Sequence, residues 1–148
     1  MPIVTAILGV FSSPKKAPDW ILRVPEVAPR EGRHEYLLDL GRAEVRRYLL
    51  AALHRYLDTG KIDYIKWDMN RPMTDAASAA LAAHRQGEVP HRYMLGLYEI
   101  LREITRQYPQ VLLEGCSSGG ARLDAGMLAF FAQNWTSDNT CLLYTSDA

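Results

Sequence analysis

Cysteine is scarce in this chain. Cys116 and Cys141 are the only two among 148 residues, too few for a disulfide framework and without the paired spacing of a zinc finger. A reducing compartment is the expectation. Charge of one sign is lacking too, because 17 Lys and Arg balance 17 Asp and Glu. Phosphate binding needs a clustered basic surplus, so nucleic acid is excluded as an expected partner. No run reaches the roughly 18 uninterrupted apolar residues of a membrane span, which excludes a membrane partner of that kind. No strand leads into a glycine fingerprint for a dinucleotide or a phosphate loop, since Gly119-Gly120 has neither the lysine nor the spacing. What is present is 48% hydrophobic residues, enough for about one globular domain.

The two ends read differently from the middle. Residues 3 to 11, Ile-Val-Thr-Ala-Ile-Leu-Gly-Val-Phe, have the apolarity of a signal peptide but no preceding basic residue and no small-x-small site after them. A buried strand explains them as well. Cys141 to Ala148 resemble a translated sequencing adapter, and a truncated reading frame is expected there. The organisation expected is an unmatched segment 1–13, a catalytic-domain fragment 14–140 and an adapter-derived tail 141–148.

Between these ends, Pro14, Pro18, Pro25 and Pro29 mark an ordered loop. Tyr36 to Leu40 is a short apolar run. Val45, Tyr48, Leu49, Leu53, Tyr56 and Leu57 recur at spacings of three and four, which predicts a helix of about 16 residues with Asp39 as N-cap and Gly60 after its end. Ile62 to Trp67 predicts a strand, and the alanine-rich residues 75 to 83 fit a helix. Met94, Leu97, Tyr98, Leu101, Ile104 and Tyr108 form another amphipathic stripe, closed by Pro109. Val111 to Leu113 reads as a strand, 127 to 133 as a short helix, and Asn134 to Ser137 as a last strand. This alternation implies an α/β fold with parallel strands and crossover helices. Polar clusters at the C-terminal ends of several strands favour part of a (β/α)8 TIM barrel, with three to four parallel strands, over a doubly wound sheet.

Two carboxylates follow strands directly: Asp68 in Lys66-Trp67-Asp68-Met69-Asn70-Arg71, and Asp138 in Trp135-Thr136-Ser137-Asp138-Asn139. A pair of carboxyl groups facing one bond is what glycoside hydrolysis requires. Lys66 and Asp68 lie two apart and so share a strand face, with Trp67 turned to the opposite layer. Spacing alone leaves each aspartate open between this role and turn or helix capping. Cys116-Ser-Ser-Gly-Gly fits a glycine-rich bend beside a ligand better than a nucleophile, because His34, His54, His84 and His91 offer no evident pairing. Trp135 is either core or a sugar-stacking platform.

Taken together, seven pieces carry a resemblance. Ala17-Pro-Asp-Trp20, Glu31-Gly-Arg33, Leu38-Asp-Leu40, Tyr64 to Pro72, His91 to Tyr98, Leu113 to Arg122 and Trp135-Thr-Ser-Asp-Asn139 resemble the catalytic barrel of glycoside hydrolase family 36, the bacterial α-galactosidases. The likeness covers about residues 14 to 140. It implies retaining hydrolysis of terminal α-galactosides of the melibiose and raffinose type, with no metal or organic cofactor. Asp68 would be the nucleophile and Asp138 the general acid and base, their carboxyl groups about 5 to 5.5 Å apart. Lys66, Asn70 and Arg33 would bind galactose hydroxyls, Cys116 and Gly119 would line the pocket, and Trp135 would support the loop carrying the acid. The resemblance also implies a cytoplasmic, homo-oligomeric full-length protein. Acidic residues and further strands that the family carries elsewhere are not among these pieces, so the fragment alone is expected to be inactive. Related readings are an α-N-acetylgalactosaminidase, a galactosyltransferase like raffinose synthase, and a non-catalytic sugar-binding module.

Overall fold

The computed structural model describes residues 3–7, 10–11, 18–32, 34–70, 72–116 and 124–135. In chain order its elements are β1 (Ile3–Ile7), β2 (Val10–Phe11), β3 (Tyr36–Leu37), α1 (Ala43–Leu57), β4 (Tyr64–Asp68), α2 (Val89–Gln107), β5 (Leu112–Cys116), α3 (Ala125–Leu128) and β6 (Gln133–Asn134), with 3-10 turns at Pro18–Trp20 and Ala83–Glu88. A four-stranded parallel sheet runs in the order β1-β4-β5-β6. Parallel neighbours cannot be joined by a tight hairpin, and α1 and α2 supply two of the crossovers. The fold is the expected α/β fragment with parallel strands.

Its first parallel strand is Ile3–Ile7, however, and not the run from Tyr36. Tyr36–Leu37 pairs antiparallel with β2 and forms a ribbon beside the sheet. Its backbone is further occupied by the preceding loop, because Leu22 N donates to Leu37 O at 2.8 Å and Asp39 N to Trp20 O at 2.7 Å. Residues 75 to 82 are not helical either, and a 3-10 turn starts only at Ala83. Alanine propensity yields there to tertiary bonds: Arg23 N donates to Ala77 O, and Gln86 bonds both the N–H and the C=O of Ser78.

The helices take their faces from the predicted stripes. In α1, Val45, Leu49, Leu53 and Leu57 are buried, while Tyr48 and Tyr56 point outward. Asp39 does not cap this helix: the N-cap position is Arg42, with no side-chain bond. The carboxylate is buried and accepts from Gly41 N at 3.0 Å and from the Ser78 hydroxyl. Gly60 does adopt the left-handed conformation after the helix, at φ 65°. In α2, Tyr93, Leu97, Ile100, Leu101 and Ile104 are buried, against Ile65, Trp67 and Leu113 of the sheet. Each such aliphatic side chain contributes about 1.5–3 kcal/mol on burial. No helix of the described residues is long and apolar enough to cross a membrane.

One contact fixes α2 against the loop before α1. A Cβ on Gly96 would stand 2.0 Å from Leu40 O and 2.7 Å from Leu40 C, so backbone meets backbone there. Replacing Gly96 by Ala in the full-length protein is expected to destabilise it by about 1–3 kcal/mol. Gly87→Ala, whose Cβ would meet nothing within 4 Å, should stay within about 0.5 kcal/mol. Urea denaturation midpoints of the two variants measure the difference.

Candidate active site

Alternation along β4 divides its side chains between two layers. Ile65 and Trp67 enter the core beneath the helices, while Tyr64, Lys66 and Asp68 remain partly exposed on the other face. Parallel pairing sets Lys66 opposite Glu114 and Asp68 opposite Cys116 of β5. Asp68 thus stands at the C-terminal end of its strand, where barrel folds place their chemistry. Asn70 Nδ2 donates to Asp68 Oδ2 at 2.9 Å. The other oxygen, Oδ1, is buried and has no hydrogen-bond partner among the described residues. A buried, uncommitted carboxylate oxygen is costly and calls for a cause.

Beside it lies a group that sequence reasoning passed over. A strand read as Val111 to Leu113 leaves Glu114 outside it, whereas β5 runs on to Cys116 and takes Glu114 into the sheet. Its side chain is buried, 5% exposed. The Tyr64 hydroxyl donates to Oε2, Gln133 Nε2 donates to the same oxygen at 2.9 Å, and the Lys66 ammonium lies 3.9 Å from Oε1. Three strands therefore converge on one carboxylate. The ammonium also lies 4.8 Å above the centre of the Trp135 ring, a cation–π arrangement. Lys66 thus makes its ion pair with Glu114, and no ion pair to Asp68 within 4 Å is present among the described residues. The sequence signal for Glu114 was its spacing of two from Cys116, legible once the strand's true length is known.

The remaining site residues divide as follows. Arg33, Gly119 and Asp138 lie outside the described residues, so the separation of the two aspartates does too. Cys116 is a buried thiol whose carbonyl accepts from Met69 N at 3.3 Å. Trp135 is only half-buried and serves as the platform for Lys66. Among the histidines, His34 contacts Glu31 and His54 contacts the Tyr108 hydroxyl at 2.7 Å, both away from Cys116 in their bonding. Gly115 has a definite structural reason: a Cβ there would come 2.5 Å from Asn134 Oδ1 and 3.2 Å from the Phe131 ring.

Above the strand ends, the loop following β4 is tied to the loop preceding α1. Arg30 N donates to Asp75 Oδ2 at 3.1 Å, and the Ser78 hydroxyl donates to buried Asp39. Gln86 in turn holds Ser78 through N at 2.8 Å and O at 2.9 Å. A cavity of about 160 Å³, lined by Asp39, Arg42, Ser78 and Arg92 among others, sits beside this brace and not at Asp68.

Polar side chains gathered at the C-terminal ends of neighbouring parallel strands, with helices packed on the other face, define a segment of a (β/α)8 barrel. Residues 12–144 match the melibiase family. Alpha-galactosidase 1 of Pediococcus pentosaceus is 53% identical over 123 residues, covering 83% of this chain and 17% of that protein. The crystal structure of the GH36 α-galactosidase AgaA from Geobacillus stearothermophilus superposes with a TM-score of 0.88 at 44% identity, over 94% of this chain and 20% of that one. A structure of an AgaA variant in complex with stachyose superposes at 0.89, and one with raffinose at 0.88. The chain belongs to the melibiase family, in glycoside hydrolase family 36. It spans about one-sixth of the length of the relative from Pediococcus, 17%.

The Tyr64–Glu114 bond has a measurable signature. Burial, then the hydrogen bond and the negative charge of Glu114, push the Tyr64 phenol from 10.0 up to about 12. A raised folded value means that the stabilisation is fully present below pH 10 and is lost as pH rises through about 12. Ultraviolet titration of the full-length protein should show Tyr64 ionising late, and Glu114→Gln should bring that ionisation to lower pH while leaving the part due to burial.

Proposed function

We propose that this chain is the central part of the catalytic barrel of a retaining α-galactosidase that releases terminal α-D-galactose from oligosaccharides of the raffinose and stachyose kind. The observation that carries the reading is Asp68: a carboxylate at a strand's C-terminal end, held through one oxygen by Asn70 and with the other uncommitted among the described residues, in a chain of the melibiase family. A carboxylate anchored on one oxygen keeps a fixed direction for attack by the other.

In the reaction, Asp68 attacks the anomeric carbon and forms a galactosyl ester as the glycosidic C–O bond breaks. Asp138 delivers its proton to the departing oxygen, then takes one from the water that cleaves the ester. Two displacements at one carbon return the original anomeric configuration. Lys66, Asn70 and Arg33 bind galactose hydroxyls, Cys116 and Gly119 line the pocket, and Trp135 supports the loop carrying the acid while its ring faces the Lys66 ammonium. The same reading makes the complete protein a cytoplasmic homo-oligomer working without a cofactor. Residues 14–140 form the main part of that barrel segment, and β1 at Ile3–Ile7 extends its sheet.

The full-length protein should hydrolyse an aryl α-galactoside, with proton NMR showing α-galactose as the first product. Asp68→Asn and Asp138→Asn should each lower kcat by about 10³-fold. The 148-residue chain by itself should show no turnover, because the four parallel strands among the described residues are half the number of an eight-stranded barrel. A full-length protein that binds galactosides without cleaving them would overturn the assignment in favour of a sugar-binding module.

A further inference from the structure

A buried carboxylate costs desolvation free energy and needs charged or hydrogen-bonding neighbours to offset it. Glu114 takes no part in the apolar packing, because the layer between sheet and helices is filled by Ile65, Trp67 and Leu113 from the opposite face. On its own face it gathers the hydroxyl of Tyr64, the amide of Gln133 and the ammonium of Lys66. The first two bonds fix the carboxylate, and the third uses it. Lys66 is thereby held from two sides, by Glu114 Oε1 at 3.9 Å and by the Trp135 ring at 4.8 Å. A lysine stem has four rotatable bonds, and confining its ammonium before substrate arrives removes an ordering cost from binding.

We propose that Glu114 is a positioning residue for substrate recognition: clamped by Tyr64 and Gln133, it aims the Lys66 ammonium at the galactose hydroxyls beside Asp68. This rests on the galactosidase reading and deepens it by assigning a role to a residue that acts through Lys66. Because Lys66 would grip the sugar equally before and during bond cleavage, loss of its alignment weakens uniform binding and raises KM more than it lowers kcat.

The test uses the full-length protein with an aryl α-galactoside, comparing wild type, Glu114→Gln, Lys66→Ala and the double variant. Glu114→Gln is expected to raise KM about tenfold with kcat within about threefold of wild type. In the double variant KM should match that of Lys66→Ala within about twofold, since Glu114 would have nothing left to aim. If Glu114→Gln does not yield folded protein, Tyr64→Phe loosens the same carboxylate and should raise KM in the same non-additive way. An unchanged KM, a loss confined to kcat, or effects that multiply with Lys66→Ala overturn the positioning role while leaving the hydrolase assignment standing. Wild type without turnover overturns both.

Discussion

The register between β4 and β5 is the constraint on which the site depends. Side chains alternate with period two, so a slip of one residue would carry Lys66 and Asp68 into the apolar layer and expel Ile65 and Trp67 from it. The alternation is enforced from the helical side, where Trp67 and Leu113 pack against residues such as Leu97 and Ile104. Hydrophobic burial therefore fixes the placement of polar groups that contribute little to stability themselves. Neighbouring strands bring Lys66 opposite Glu114 and Asp68 opposite Cys116 by the same constraint.

Glycine extends this logic into β5. Glu114 and Gly115 are adjacent, and their opposite directions give one residue to the polar face and the next to the packed face. Phe131 and Asn134 occupy the space that a Cβ at Gly115 would take. Their approach lets β6 pair alongside, with Trp135 N donating to Gly115 O at 2.8 Å. A missing methyl group on one face thus helps bring Gln133 and Trp135 to the other.

Much of this was legible in the sequence, and the exceptions share a cause. Periodic stripes placed α1 and α2 well, and the position of Asp68 at a strand end followed from Ile65 and Trp67 alternating with polar neighbours. Tyr36 to Leu40 is a short apolar run, and local apolarity does not say which partner such a run will find. Residues 75 to 83 read as helical because propensity ignores the bonds that Arg23 and Gln86 make to that backbone from a distance. Asp39 looked like a cap, since its partner Ser78 lies 39 residues away. Glu114 escaped notice for the same reason: its meaning comes from Tyr64, Lys66 and Gln133, none of them near it in sequence. Local rules found elements, and non-local bonds assigned their uses.

The brace between Asp39 and the Ser78 loop carries a consequence for the order of assembly. Residues 72 to 82 own no helix or strand and borrow their shape from Arg23, Arg30 and Asp39, all earlier in the chain, and from Gln86 shortly after them. On a ribosome most of the mould emerges before the material to be cast. The lag over 39 residues is roughly 2–8 s at ordinary elongation rates. During that interval the Asp39 carboxylate lacks the hydroxyl that Ser78 later brings to it.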